Sequence, residues 1–150
     1  MSLQERINED LKAALKAKDT AALRALRGLK TAFQLAETAE GRTPGPLSDA
    51  ECLQVLAKQI KQRLDSVAQF EANGRPDLAQ TEQEELVVLK RYQPEPLKPE
   101  VVEAKLRALI GQLGATGPAA MGQVMKAAQA EFAGQVDGKT LSEVVKRLLA

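Results

Sequence analysis

Apolar residues return every three or four positions along almost the whole chain, which is the period of a helix with one buried face. Leu3, Ile7, Leu11 and Leu15 form the first stripe. It is opened by Ser2-Leu-Gln-Glu5, a capping box in which the Ser hydroxyl and the Glu carboxylate each satisfy an orphan backbone donor. This helix is predicted to run to about Lys18. Asp19 then caps a second helix carrying Leu23, Leu26, Leu29 and Phe33, which ends near Glu40 because Gly41, Pro44, Gly45 and Pro46 break it. Ser48-Asp-Ala-Glu51 is a second capping box and opens a long helix with Cys52, Leu53, Leu56, Ile60, Leu64 and Val67 facing inward. Asn73-Gly74 stops it, since both residues tolerate a left-handed backbone. Pro76 suits the first turn of a fourth helix, with Leu78, Leu86 and Leu89 inside. Thr81-Gln-Glu-Glu84 also matches the capping pattern, but no breaker precedes it and it reads as helix interior.

The period fails at Tyr92-Gln-Pro-Glu-Pro-Leu-Lys-Pro99, where each residue before a proline is pushed toward an extended backbone. Beyond it, Pro99 to Leu113 is predicted helical with Val102, Leu106, Leu109, Ile110 and Leu113 buried, stopped by Gly114. Pro118 starts the next helix, bearing Met121, Val124, Met125, Ala128 and Phe132, and Gly134 stops it. The last helix buries Leu141, Val144, Val145, Leu148 and Leu149; it starts either at Asp137 as N-cap or at Thr140 with Glu143 as a capping box. No strand-like alternation, internal repeat or low-complexity tract interrupts this pattern. The expectation is an all-α chain, with a four-helix N-terminal domain over 1–92, a Pro-rich linker over 93–98 and a three-helix tail over 99–150. A tail of roughly 50 residues is near the lower limit for folding on its own.

Composition narrows what such a chain can do. Hydrophobic residues make up 44% and charged residues 27%, an ordinary globular balance, and the net charge is only +1. Neither part is basic: residues 1–92 hold 14 basic and 14 acidic side chains, the remainder 7 and 6. Contact with nucleic acid would therefore come from a local patch, not from a global field. There is no histidine, which removes the commonest general base, the triads built on it and most transition-metal sites. The single cysteine, Cys52, excludes an internal disulfide and reads as a small buried apolar residue. Neither phosphate-loop spacing nor GxGxxG occurs. Glu82, Glu84 and Glu85 read as solvated helix surface. No catalytic residue, metal site or cofactor is expected. The N-terminus lacks the apolar segment of a signal peptide, and no run reaches the roughly 18 apolar residues of a membrane span, so the expected setting is cytoplasmic and away from membranes.

Binding features are better represented. Arg24, Arg27 and Lys30 lie along the second helix, and Lys58, Lys61 and Arg63 along the third. They are either one positive band able to meet phosphates or ordinary exposed side chains paired with Glu and Asp. In the tail, the helix N-termini near Pro118 and Gly138 expose free N–H groups that attract phosphate. The candidate contacts there are Met121, Gly122, Asp137, Gly138 and Lys139, with Lys126, Lys139, Lys146 and Arg147 flanking the two glycine turns.

Several short motifs, in this order and spacing, resemble one family. They are Lys61-Gln-Arg63, Phe70-Glu-Ala-Asn-Gly-Arg75 with Asp77-Leu-Ala79, and Glu85-Leu with Leu89 and Tyr92-x-Pro94. In the tail they are Met121-Gly-x-Val-Met125 and Asp137-Gly-Lys139 leading into Leu141 and Val145. Over essentially its whole length the chain resembles the YqeY family, whose C-terminal part is similar to the tail domain of the B subunit of glutamyl/aspartyl-tRNA amidotransferases. The resemblance implies a helical domain joined to a small helical tail that recognises tRNA. It also carries a label of carbon–nitrogen ligase with glutamine as amido donor, although neither the catalytic core nor an amidase domain of that complex is found here. Two positions depart from the family pattern. Gly134-Gln-Val-Asp-Gly lacks the basic residue and Ala often found before Asp-Gly, and Tyr92-Gln93-Pro94 replaces Tyr-Leu-Pro. The expected role is a non-enzymatic, tRNA-associated binding protein. The alternatives are a helical adaptor for a translation or tRNA-amidation protein, and an accessory to glutamine-dependent amidation.

Overall fold

Each helix begins or ends where a backbone group finds a specific partner. In the computed structural model, which describes residues 1–132 and 134–150, seven α-helices follow one another: α1 Leu3–Ala17, α2 Thr20–Glu37, α3 Asp49–Ala72, α4 Pro76–Lys90, α5 Pro99–Leu113, α6 Met121–Glu131 and α7 Gly138–Leu149. A single 3₁₀ turn, Pro118–Ala120, leads into α6, and no strand occurs among the described residues. Both capping boxes form: Ser2 and Ser48 accept from the N–H groups of Glu5 and Glu51, whose carboxylates accept in return from the serine N–H groups. Asp19 caps α2 through the Ala22 N–H at 3.1 Å. Lys18 ends α1 in the left-handed conformation, with φ 54°, a place usually taken by glycine. Thr81 lies inside α4.

The chain divides into two compact units, Met1–Gln93 and Pro94–Ala150, each with its own core. In the first, Ile7, Leu26, Leu29, Cys52, Leu56 and Leu89 are almost fully enclosed. Cys52 is enclosed in this core, and burial pushes its thiol up.

Two residues of the expected stripes face solvent instead: Leu15 is 59% and Leu64 47% exposed. A spacing of four overshoots the helical repeat by about 40° per step, so the far end of such a stripe rotates off the core. Ala14 takes the inward place that Leu15 leaves. On α4, Val88 and Ala79 are buried beside Leu86 and Leu89, while Leu78 is only partly covered.

In the second unit Val102, Leu106, Val124, Phe132, Leu141 and Val145 form the centre. Met121 and Met125 pack against it, partly buried. Leu97, within the stretch read as a linker, also packs there, and its N–H donates to the Gln135 carbonyl at 3.1 Å. The prolines prevent helix, but this segment is tied to the second unit by one apolar side chain and one hydrogen bond.

Candidate nucleic-acid interface

The candidate residues of the second unit lie on α6 and α7, two helices that pack on each other. Met121 and Gly122 are at the start of α6 and Lys126 in its middle; Gly138 and Lys139 are at the start of α7 and Lys146 in its last turn. Asp137 is the N-cap of α7, accepting from the Thr140 N–H at 2.6 Å, which settles where this helix begins. That hydrogen bond, with the nearby Lys139 charge, holds the Asp137 carboxyl below its ordinary range. Asp137 therefore shapes the helix start, and its negative charge would oppose a phosphate placed on it. The N–H groups of Gly138 and Lys139 have no partner among the described residues.

Gly122 and Gly138 are both exposed, and a Cβ built on either would meet nothing within 4 Å. Neither has a left-handed backbone, so nothing inside this chain requires glycine at either position. Gly122 in a helix costs about 1 kcal/mol relative to alanine. Lys126, Lys139 and Lys146 are exposed and hold no carboxylate among the described residues. Arg147 differs: it donates to Glu103 at 3.3 Å, a carboxylate that also holds Arg107 at 2.8 Å.

The six candidate cations of the first unit are not equivalent. Arg24 of α2 reaches α4, where Nη2 lies 3.2 Å from Glu84 and Nε 3.9 Å from Glu85. Arg63 of α3 also turns to α4, 3.7 Å from Glu82, with only 17% of its side chain exposed. These two are spent on acidic neighbours, as the reading of paired surface charges has it. Arg27, Lys30, Lys58 and Lys61 remain exposed without an ion pair among the described residues. The acidic run is only in part solvated surface: Glu84 is exposed, whereas Glu85 is buried and Glu82 half-buried, because α4 packs on both α2 and α3.

The pattern of the family described as Yqey-like protein matches residues 4–149, nearly the whole chain. The chain belongs to the Yqey-like protein family. Among similar proteins is Altered inheritance of mitochondria protein 41, mitochondrial. The Kluyveromyces lactis form is 34% identical over 87 residues, 58% of this chain and 46% of its own. For Lachancea thermotolerans the figures are 31% over 115 residues, 75% and 60%, and for Saccharomyces cerevisiae 31% over 135 residues, 88% and 69%. The chain thus spans less than two thirds of the first two relatives. Their name says mitochondrial, whereas the expectation for this Yqey-like chain was cytoplasmic. Among the described residues no helix is long and apolar enough to cross a membrane.

One constellation in this Yqey-like protein has no signature in the sequence. Tyr92 donates its hydroxyl to Asp10 Oδ2 at 2.6 Å, and the Arg6 guanidinium lies 4.8 Å from the ring centroid. Burial, then the Asp10 hydrogen bond, pushes the phenol above its ordinary range. Asp10 and Tyr92 are 82 positions apart, so no local pattern could have joined them.

Proposed function

We propose that this Yqey-like protein is a non-enzymatic RNA-associated binding protein whose second unit docks on the structured body of tRNA. The observation that carries the reading is that α6 and α7 carry two exposed glycines, Gly122 and Gly138, and three exposed lysines, Lys126, Lys139 and Lys146, that hold no carboxylate among the described residues. At the start of α7 a phosphate can approach the free N–H groups of Gly138 and Lys139, Gly122 leaves the surface of α6 open to close approach, and the lysines neutralise the charge. Recognition would rest on shape and phosphates, since aromatic residues amount to 3% of the chain. The resemblance of the tail to that of the tRNA amidotransferase B subunit is the reason to propose tRNA over other RNAs.

The test is tRNA binding across a salt series. Binding should weaken steeply with salt, and Lys126→Glu or Lys139→Glu should each lower the salt slope by about one. Gly122→Ala should weaken binding while raising the melting temperature, whereas Gly111→Ala, an exposed helical glycine of α5 with equally open space, should only raise it. Binding that is absent at low salt, or unchanged in the lysine variants, overturns the proposal. The net charge of +1 favours a second reading, a helical adaptor for a protein of translation or tRNA amidation. A complex with a purified partner that survives nuclease treatment would select it.

A further inference from the structure

Most arginines of this chain are spent on carboxylates. Arg24, Arg42, Arg63, Arg75, Arg107 and Arg147 each hold one. Arg6 and Arg91 hold none among the described residues, and both line the same hollow of the first unit, about 330 Å³ between α1, the start of α2 and the end of α4. Tyr92 lines it as well. Its hydroxyl is fixed by Asp10 and its ring is covered by Arg6, so ring, carboxylate and guanidinium are held in place relative to one another. Asp19 contributes a second carboxylate, with Oδ1 on the Ala22 N–H and its other oxygen without a partner among the described residues.

The charges of the hollow balance, and that balance selects the ligand. A simple anion drawn to Arg6 and Arg91 would meet Asp10 and Asp19, and a simple cation would meet the two arginines. A small molecule carrying a carboxylate and an ammonium on neighbouring atoms satisfies both pairs, the carboxylate accepting from the guanidinium forks. The rest of the lining is largely apolar: Ala14, Ala22, Leu26 and Val88 are buried there. Ala13 and Ala17 also line it, and larger side chains at these alanine positions would fill the space. The volume lies at the lower end of ligand pockets and suits a compact occupant. We propose that this hollow is a binding site for a free α-amino acid with a small apolar side chain, its carboxylate on Arg6 and Arg91, its ammonium toward Asp10 and Asp19, and its side chain on the alanine wall.

Titration of the full-length protein with L-valine, followed by amide NMR shifts and calorimetry, tests this. Binding on the order of millimolar or tighter is expected, with shifts at the ends of α1 and α4. N-acetyl-L-valine, which lacks the ammonium, and L-valinamide, which lacks the carboxylate, should each bind at least about tenfold more weakly. Arg91→Gln, at an exposed position, should weaken L-valine by a similar factor at an unchanged melting temperature. No shifts at about 20 mM L-valine, or equal binding of the N-acetyl compound, overturns the proposal. The hollow lies wholly in the first unit, so tRNA binding by the lysine variants of the second unit reads independently of this result.

Discussion

Arg42 shows how much one side chain can organise. Its Nε donates to Glu51 Oε2 at 2.9 Å and its Nη2 to Oε1 at 3.1 Å, while other N–H groups donate to the carbonyls of Thr43, Gly45 and Pro46. The breaker cluster between α2 and α3 is thereby held as a defined loop. Glu51 is at once the partner of Arg42 and the third residue of the Ser48 capping box. Those contacts, the Arg42 hydrogen bond first, draw its carboxyl from the usual 4.5 down to about 2. A folded-state value below the unfolded one means that the contribution is complete above about pH 4.5 and is lost as pH falls toward 2. Glu51→Gln keeps a capping box but no charge. Urea denaturation at a series of pH values should therefore show the parent losing more stability than the variant across that acid window. An acid limb of equal steepness in both would refute this role. The capping box was legible in four consecutive residues; the arginine was not, because it arrives from across the loop.

Among the elements, α4 is the one whose sequence misleads. Its acidic run suggests a solvated face, yet α4 lies against α2 and α3, and Arg24 and Arg63 turn toward that run. Arg63 also leans on Gly28 of α2, where a Cβ would sit 3.1 Å from its Nη2. The Arg63–Glu82 pair is mostly enclosed and imperfectly satisfied: Arg63 Nε and Glu82 Oε2 have no hydrogen bond among the described residues. Arg63→Ala would leave Glu82 half-buried without its cation, costing about 2 kcal/mol in chemical denaturation. The double variant Arg63→Met with Glu82→Leu should recover most of that loss, since replacing both charges removes the desolvation cost as well. A double variant no more stable than Arg63→Ala would mean the charges themselves hold α4 in place. The exposure of Leu15 and Leu64 teaches a related lesson, since a spacing of four names a helix correctly but points its far end away from the core.

For the whole molecule, the decisive feature is the presence of two separate apolar cores. The smaller unit, Pro94–Ala150, has less chain from which to build a core, and small domains bury a smaller fraction of their surface than large ones, so it is expected to be the less stable of the two. Calorimetry should show two transitions, the lower one belonging to this unit, and hydrogen exchange should give weaker protection to α5, α6 and α7 than to the centres of α2 and α3. One cooperative transition with uniform protection would contradict this. The helical period, the capping boxes and the proline and glycine stops lie within a few residues of one another, and the free energy they report is local. For that reason the chain alone specified seven helices, nearly all their ends, and the exposed lysines and glycines of the tail. Partners such as Arg24 with Glu84 or Tyr92 with Asp10 stand 60 and 82 positions apart. They meet only once helices pack, and packing depends on the rotation and register of whole faces. Folding therefore decided which arginines are spent, which carboxylates are buried, and where two unpaired guanidiniums face a hollow.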